Sequence, residues 1–92
     1  MTTPWTIALF AGLADRFGSR RLLLDRPEAE MTAGRLKEIV CERYPDHAEA
    51  VRTAFVASNQ AFAREEAIVK REDELALLPP VSGGSGEAGA GV

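Results

Sequence analysis

Only one stretch of this chain carries an apolar stripe long enough for a regular helix. Leu36, Ile39, Val40 and Tyr44 recur at helical spacing behind Thr32, a residue whose hydroxyl can cap the first turn. Pro45 follows Tyr44 and pushes the residue before it out of the helical region. The spacing predicts a helix over 33–43, with a second short helical turn over 46–51. A lone helix of this length buries one face, so the rest of the patterned sequence has to supply the surface that covers it.

That surface reads as strands. Trp5, Ile7 and Leu9 alternate with Thr6, Ala8 and Phe10, which predicts a strand over 5–11. Residues 13–17 fit one helical turn, Gly18-Ser19 a turn, and 20–25 a second strand. Ala54-Phe55-Val56-Ala57 reads as a third strand, Ser58-Asn59-Gln60 as a turn and Ala61-Phe62-Ala63 as a short return strand. Arg71-Glu72-Asp73 is a polar bend, and Glu74-Leu75-Ala76-Leu77-Leu78 is a last strand stopped by Pro79-Pro80. A sheet packed on one main helix is the natural solution, an α+β class, because each element has one apolar face to cover. There is no internal repeat. Residues 1–80 form the expected domain. Residues 81–92, rich in glycine and poor in apolar side chains, cannot offset the entropy of ordering and are expected to be a flexible arm.

Composition narrows the function. A chain of 92 residues hides only somewhat more than half of its unfolded surface, which leaves little room for an interior pocket. Its 11 basic and 14 acidic residues, net charge −3, are mixed along the chain. No basic cluster argues for nucleic acid or an anionic membrane. No apolar run approaches a membrane span, and nothing at the N-terminus resembles a signal peptide, so cytoplasm is the expected location. The single cysteine, Cys41, rules out an internal disulfide framework. With the single histidine, His47, it is too few for a Cys/His zinc site, so no metal is expected. Cys41 reads as a small packing residue beside the helix stripe, His47 as a surface loop residue, Trp5 as edge packing, and Arg64-Glu65-Glu66 as a solvated loop. Phe10 lies opposite Ile7 and Leu9 in the alternation. If those two face the helix, Phe10 falls on the outer sheet face, where a docking patch would sit.

The stretch Leu77-Leu78-Pro79-Pro80-Val81-Ser82-Gly83-Gly84 has a physical order. A strand anchors it, two prolines stiffen it and block sheet pairing, and two glycines end it without side chains. From Pro79 to Gly84 the reach is up to roughly 20 Å at full extension, enough to place a carbonyl deep inside another protein.

In this register the chain resembles the small subunits of molybdopterin synthase, ubiquitin-like sulfur carriers. The likeness rests on Phe55-Val56-Ala57-Ser58-Asn59-Gln60, on Asp73-Glu74 through Gly83-Gly84, and on Leu9-Phe10-Ala11 with Leu13-Ala14-Asp15-Arg16-Phe17-Gly18. It implies a β-grasp fold, the fold of ubiquitin. It also implies a cycle in which an adenylating activating enzyme uses ATP to join the terminal glycine carboxylate to AMP, and a sulfur donor converts it to a thiocarboxylate. The large subunit of the synthase then uses that sulfur on cyclic pyranopterin monophosphate in molybdenum cofactor biosynthesis. On this reading the carrier binds no cofactor itself. Gly84 is the reacting residue, and Phe10, Pro79, Pro80, Val81, Ser82 and Gly83 contact the partner. The arm is shared with carriers for cysteine, thiazole or tRNA thiolation, and a β-grasp interaction module without covalent chemistry is the rival of a different class. One departure stands out: residues 85–92 follow Gly84, whose carboxylate is then locked in a peptide bond. Removal of the tail by a peptidase between Gly84 and Ser85, a fusion with the large subunit, and loss of the carrier role are the competing accounts.

Overall fold

The computed structural model describes residues 3–80. Seven strands and three helices follow one another as β1 (Trp5–Leu9), α1 (Gly12–Phe17), β2 (Arg21–Leu24), β3 (Glu30–Thr32), α2 (Ala33–Arg43), a 3-10 turn (Pro45–His47), α3 (Ala48–Arg52), β4 (Phe55–Ser58), β5 (Ala61–Ala63), β6 (Ile68–Lys70) and β7 (Leu75–Leu78). The main sheet has the order β2-β1-β7-β4-β5, and β3 and β6 form a separate two-stranded ribbon. β1 and β7 run parallel, whereas the other neighbours are antiparallel. A sheet whose first and last strands lie side by side in parallel, with the main helix crossing one face, is the β-grasp architecture the resemblance implied.

The alternation in the sequence becomes the two faces of this sheet. Trp5, Ile7, Leu9, Leu22, Leu24, Val56, Leu75 and Leu77 point inward and pack against Ala33, Leu36, Ile39 and Val40 of α2. Among the described residues no polar or charged residue is buried in this core. α2 spans the predicted residues, and three of its first N–H groups find acceptors. Arg35 N donates to Thr32 Oγ1 at 3.1 Å, Ala33 N to Ala67 O at 2.8 Å and Gly34 N to Glu65 O at 2.9 Å. The side chains of Arg64, Glu65 and Glu66 are solvated as expected, yet the Glu65 carbonyl caps the main helix. A Cβ on Gly34 would meet that carbonyl oxygen at 3.2 Å.

The other end of the predicted first strand turns early. Leu13 N donates to Phe10 O at 3.1 Å, closing a turn in which Ala11 has φ 51° and ψ −130°. This is the first central position of a type II′ turn, where glycine is the usual residue. α1 ends in a Schellman motif: Gly18, in the left-handed region, donates to Asp15 O, and Ser19 N donates to Ala14 O.

Two expectations need correction, and one pair of strands went unread. Trp5 is fully buried rather than packed at an edge, because β1 lies between β2 and β7, and its indole Nε1 donates to Glu28 O at 2.9 Å. His47 is half-buried rather than a surface loop residue, its ring 4.4 Å from that of Phe17 in the turn that joins α2 to α3. The ribbon of β3 and β6 was not anticipated, since each strand has three residues and buries only one, Met31 or Val69.

Candidate functional site

The outer face of the sheet is largely apolar, Thr6 of β1 and Arg21 of β2 being its polar members, and no described element covers it. By register it carries Leu23 of β2, Ala8 of β1, Ala76 and Leu78 of β7, Phe55 and Ala57 of β4, and Phe62 of β5. Phe10, just past β1, joins them. Phe10 is 49 % exposed, Phe55 52 % and Phe62 76 %, and exposed apolar side chains gathered on one face make it a candidate interaction surface. Phe55 and Phe62 meet edge to face with centroids 5.8 Å apart. Between Phe62 and Phe10 lies a shallow hollow of about 240 Å³ floored by Ala57, Ala76 and Leu78 and rimmed by Gln60 and Glu74. Small alanines on the central strands and phenylalanines around them make a depression that an apolar side chain of a partner can fill.

Phe10 therefore sits where the alternation put it. Phe55 and Phe62 were missed as site residues, although the signal was present: each is offset by one from Val56 or Ala63, the inward residues of the same strands.

The arm starts from this same face. β7 lies between β1 and β4, pairing with both. Leu78 is its last residue, and Pro79, lacking an N–H, ends the ladder. Pro79 and Pro80 then line a groove of about 510 Å³ with Gly12, Leu13 and Arg16 on one side and Asp46, His47, Glu49 and Ala50 on the other. Val81, Ser82, Gly83, Gly84 and Ser85 lie outside the described residues, so the structure places the root of the arm and not its tip.

The hairpin that carries Phe55 and Phe62 is tied to the start of β7 by one carboxylate. Asp73 accepts from Lys70 N at 2.8 Å, from Ser58 Oγ at 3.1 Å and from Asn59 Nδ2 at 3.3 Å. Asn59 in turn exchanges bonds with Glu74, its N donating to Glu74 O at 2.8 Å and its Oδ1 accepting from Glu74 N at 3.0 Å. Asn59 and Gln60 both have positive φ, as a two-residue hairpin of the right twist requires. The backbone N–H of Lys70, with help from the two side chains, holds the Asp73 carboxyl below its usual range. This acidic bend, read from sequence only as polar, fixes the pitch of the aromatic hairpin.

Among the described residues no group of three His, Cys, Asp or Glu could hold a metal ion, and no helix is long and apolar enough to cross a membrane. Cys41 is half-buried, its thiol donating to Ala48 O at 3.4 Å between α2 and α3. Among the described residues, then, the site consists of an apolar sheet face and the root of the segment that carries Gly83 and Gly84.

The model of the ThiS family matches residues 7–84, a span that ends on the second glycine. The molybdopterin synthase sulfur carrier subunit of Arabidopsis thaliana is 35% identical over 78 residues, which is 85% of this chain and 80% of that protein. The protein of the same name from Dictyostelium discoideum is 30% identical over 86 residues, 91% of this chain and all of that one. The crystal structure of H. volcanii small archaeal modifier protein 1 superposes with a TM-score of 0.68 at 28% identity, covering 87% of this chain and 100% of that one.

Proposed function

Since the chain belongs to the ThiS family, we propose that it is a sulfur carrier, the small subunit of a molybdopterin synthase, with the carboxyl carbon of Gly84 as its working atom. The observation that carries this reading is likeness over nearly the whole chain to two sulfur carrier subunits of that enzyme. The geometry supports it: an arm rooted on a central strand, beside an apolar face able to dock. In the proposed cycle the Gly84 carboxylate attacks the α-phosphorus of ATP on an activating enzyme and pyrophosphate leaves. A sulfur donor displaces AMP to give the thiocarboxylate, and the large subunit spends that sulfur on cyclic pyranopterin monophosphate. A carboxylate is a poor electrophile and the mixed anhydride supplies a leaving group, so the carrier needs no acid, base or metal of its own. The cytoplasm is the proposed setting. Gly84 needs a free carboxylate, so a peptidase first cuts between Gly84 and Ser85.

The test uses two chains, one ending at Gly84 and one at Val92, each incubated with ATP and the activating enzyme and read by intact mass. The expected result is an adenylate on the shorter chain alone, with the longer one joining it after a cell extract removes residues 85–92. Activation of the intact chain at Val92 would make Gly84 the wrong atom. Activation of neither would leave the uncovered face as that of a non-covalent interaction module.

A further inference from the structure

The main sheet ends in β2 on one side, and we propose that this edge pairs with the same edge of a second copy of the chain, in antiparallel register centred on Leu23. Which backbone groups point outward follows from the ladder. Leu9 N donates to Arg20 O at 2.8 Å, one step beyond the Ala8–Arg21 pair. In an antiparallel pair, bonded and non-bonded positions alternate. Residues 20, 22 and 24 therefore bond to β1, and the N–H and C=O of Arg21 and Leu23 face away from the sheet.

The edge is self-complementary. Arg21-Leu22-Leu23-Leu24-Asp25, laid antiparallel on a copy of itself about Leu23, sets Arg21 opposite Asp25 and Leu22 opposite Leu24 on both sides of the two-fold, as an isologous contact demands. Arg21 and Asp25 are exposed, and among the described residues neither has an ion-pair partner. Leu23, 58 % exposed, would meet its copy across the axis and lose part of that exposure. The opposite edge has no such symmetry: Ala61-Phe62-Ala63 of β5 carries no opposed charges.

Ser19 restrains the pairing. Its Oγ donates to Arg21 O at 2.8 Å and accepts from Arg21 N at 3.2 Å, occupying both outward groups of Arg21 and leaving those of Leu23 open. Such plugging of an edge is how sheets avoid unlimited growth. Here it makes the contact weak, as does the short strand. The two-fold reverses strand direction, so the two copies of β7 would end at opposite sides of the joined sheet and both arms would stay free. The inference does not depend on what the arm does.

Cross-linking and sedimentation test it, in a Cys41→Ala background for the cysteine variants. Leu23→Cys is expected to oxidise to a covalent dimer, because directly opposed bonded residues have Cα atoms about 5.5 Å apart, within disulfide range. Phe62→Cys, more exposed but on the other edge, is the control and should stay monomeric. Arg21→Cys mixed with Asp25→Cys should yield the mixed dimer, while Arg21→Cys alone should not, its two copies being roughly 13 Å apart along the strands. In the otherwise unaltered chain, sedimentation should show a reversible dimer, about tenfold weaker in Arg21→Asp or Asp25→Arg, restored when both are combined, and tighter in Ser19→Ala. A monomer up to about 1 mM, cross-linking of Phe62→Cys as fast as Leu23→Cys, or a double swap no better than either single change would each overturn the proposal.

Discussion

Replacing Phe10 by glutamate separates docking from folding. Phe10 is 49 % exposed, so about half of its side chain already contributes to the fold. Full burial of a phenylalanine is worth about 1.5–3 kcal/mol, and the folded domain should lose only about 1 kcal/mol when that half is removed. The other half faces the hollow beside Ala57, Ala76 and Leu78 and would be covered only by a partner. Docking onto glutamate forfeits about 1 kcal/mol of apolar burial and adds about 1–3 kcal/mol for desolvating an unpaired polar group. Binding to the large subunit of molybdopterin synthase should weaken roughly 30- to 1000-fold by titration calorimetry, with the thermal midpoint lowered by about 4–8 °C. An unchanged affinity would put the interface elsewhere. A collapsed melting transition would show that Phe10 belongs to the core, against its exposure.

Three further outcomes are expected. Ala11→Gly should stabilise the domain by about 1 kcal/mol in denaturant titration, since glycine removes the strain of a positive φ at a smaller entropic cost. Asp73→Asn should destabilise by about 1 kcal/mol at neutral pH by weakening charge-assisted bonds. Because folding lowers the Asp73 pKa from its ordinary 3.8, this contribution is present above pH 3.8 and is lost as pH falls through the folded value, so parent and variant melting curves should converge in acid. Gly84→Ala, in a chain ending there, should bind the large subunit like the parent yet transfer sulfur poorly, because a channel that admits bare backbone can exclude a Cβ. Transfer at the parent rate in a single-turnover assay would mean a wider channel.

What the sequence disclosed and what it concealed divide along local and non-local lines. α2 was legible to the residue because its cap, its stripe and its stop are neighbours: Thr32, Leu36 through Val40, and Pro45. Phe10 was placed correctly by simple alternation. Trp5 was misread because its burial depends on β7, some seventy residues later, lying parallel to β1, and no local pattern carries that pairing. The ribbon of Glu30–Thr32 and Ile68–Lys70 was hidden for the same reason, each strand being too short to alternate. His47 needed the ring of Phe17 brought to it from another element. At the site, the bend at Asp73 read as polar, but its grip on Ser58 and Asn59 is a contact between the last strand and the aromatic hairpin.

That same contact joins the apolar face to the strand from which residues 79–84 continue. β7 is held on one side by β1, beyond whose end stands Phe10, and on the other by β4, which bears Phe55. Phe10 and Phe55 are thus positioned by the two ladders that hold β7. Leu78 is part of the face, and Gly84 lies six residues beyond it, a covalent reach of at most roughly 20 Å. On the proposed function, a partner that covers Phe10, Phe55 and Phe62 has to open its channel within that radius. On the same proposal, β7 and the Asp73 bend set where the Gly84 carbonyl can arrive, and changes in either should alter transfer without touching a reacting atom.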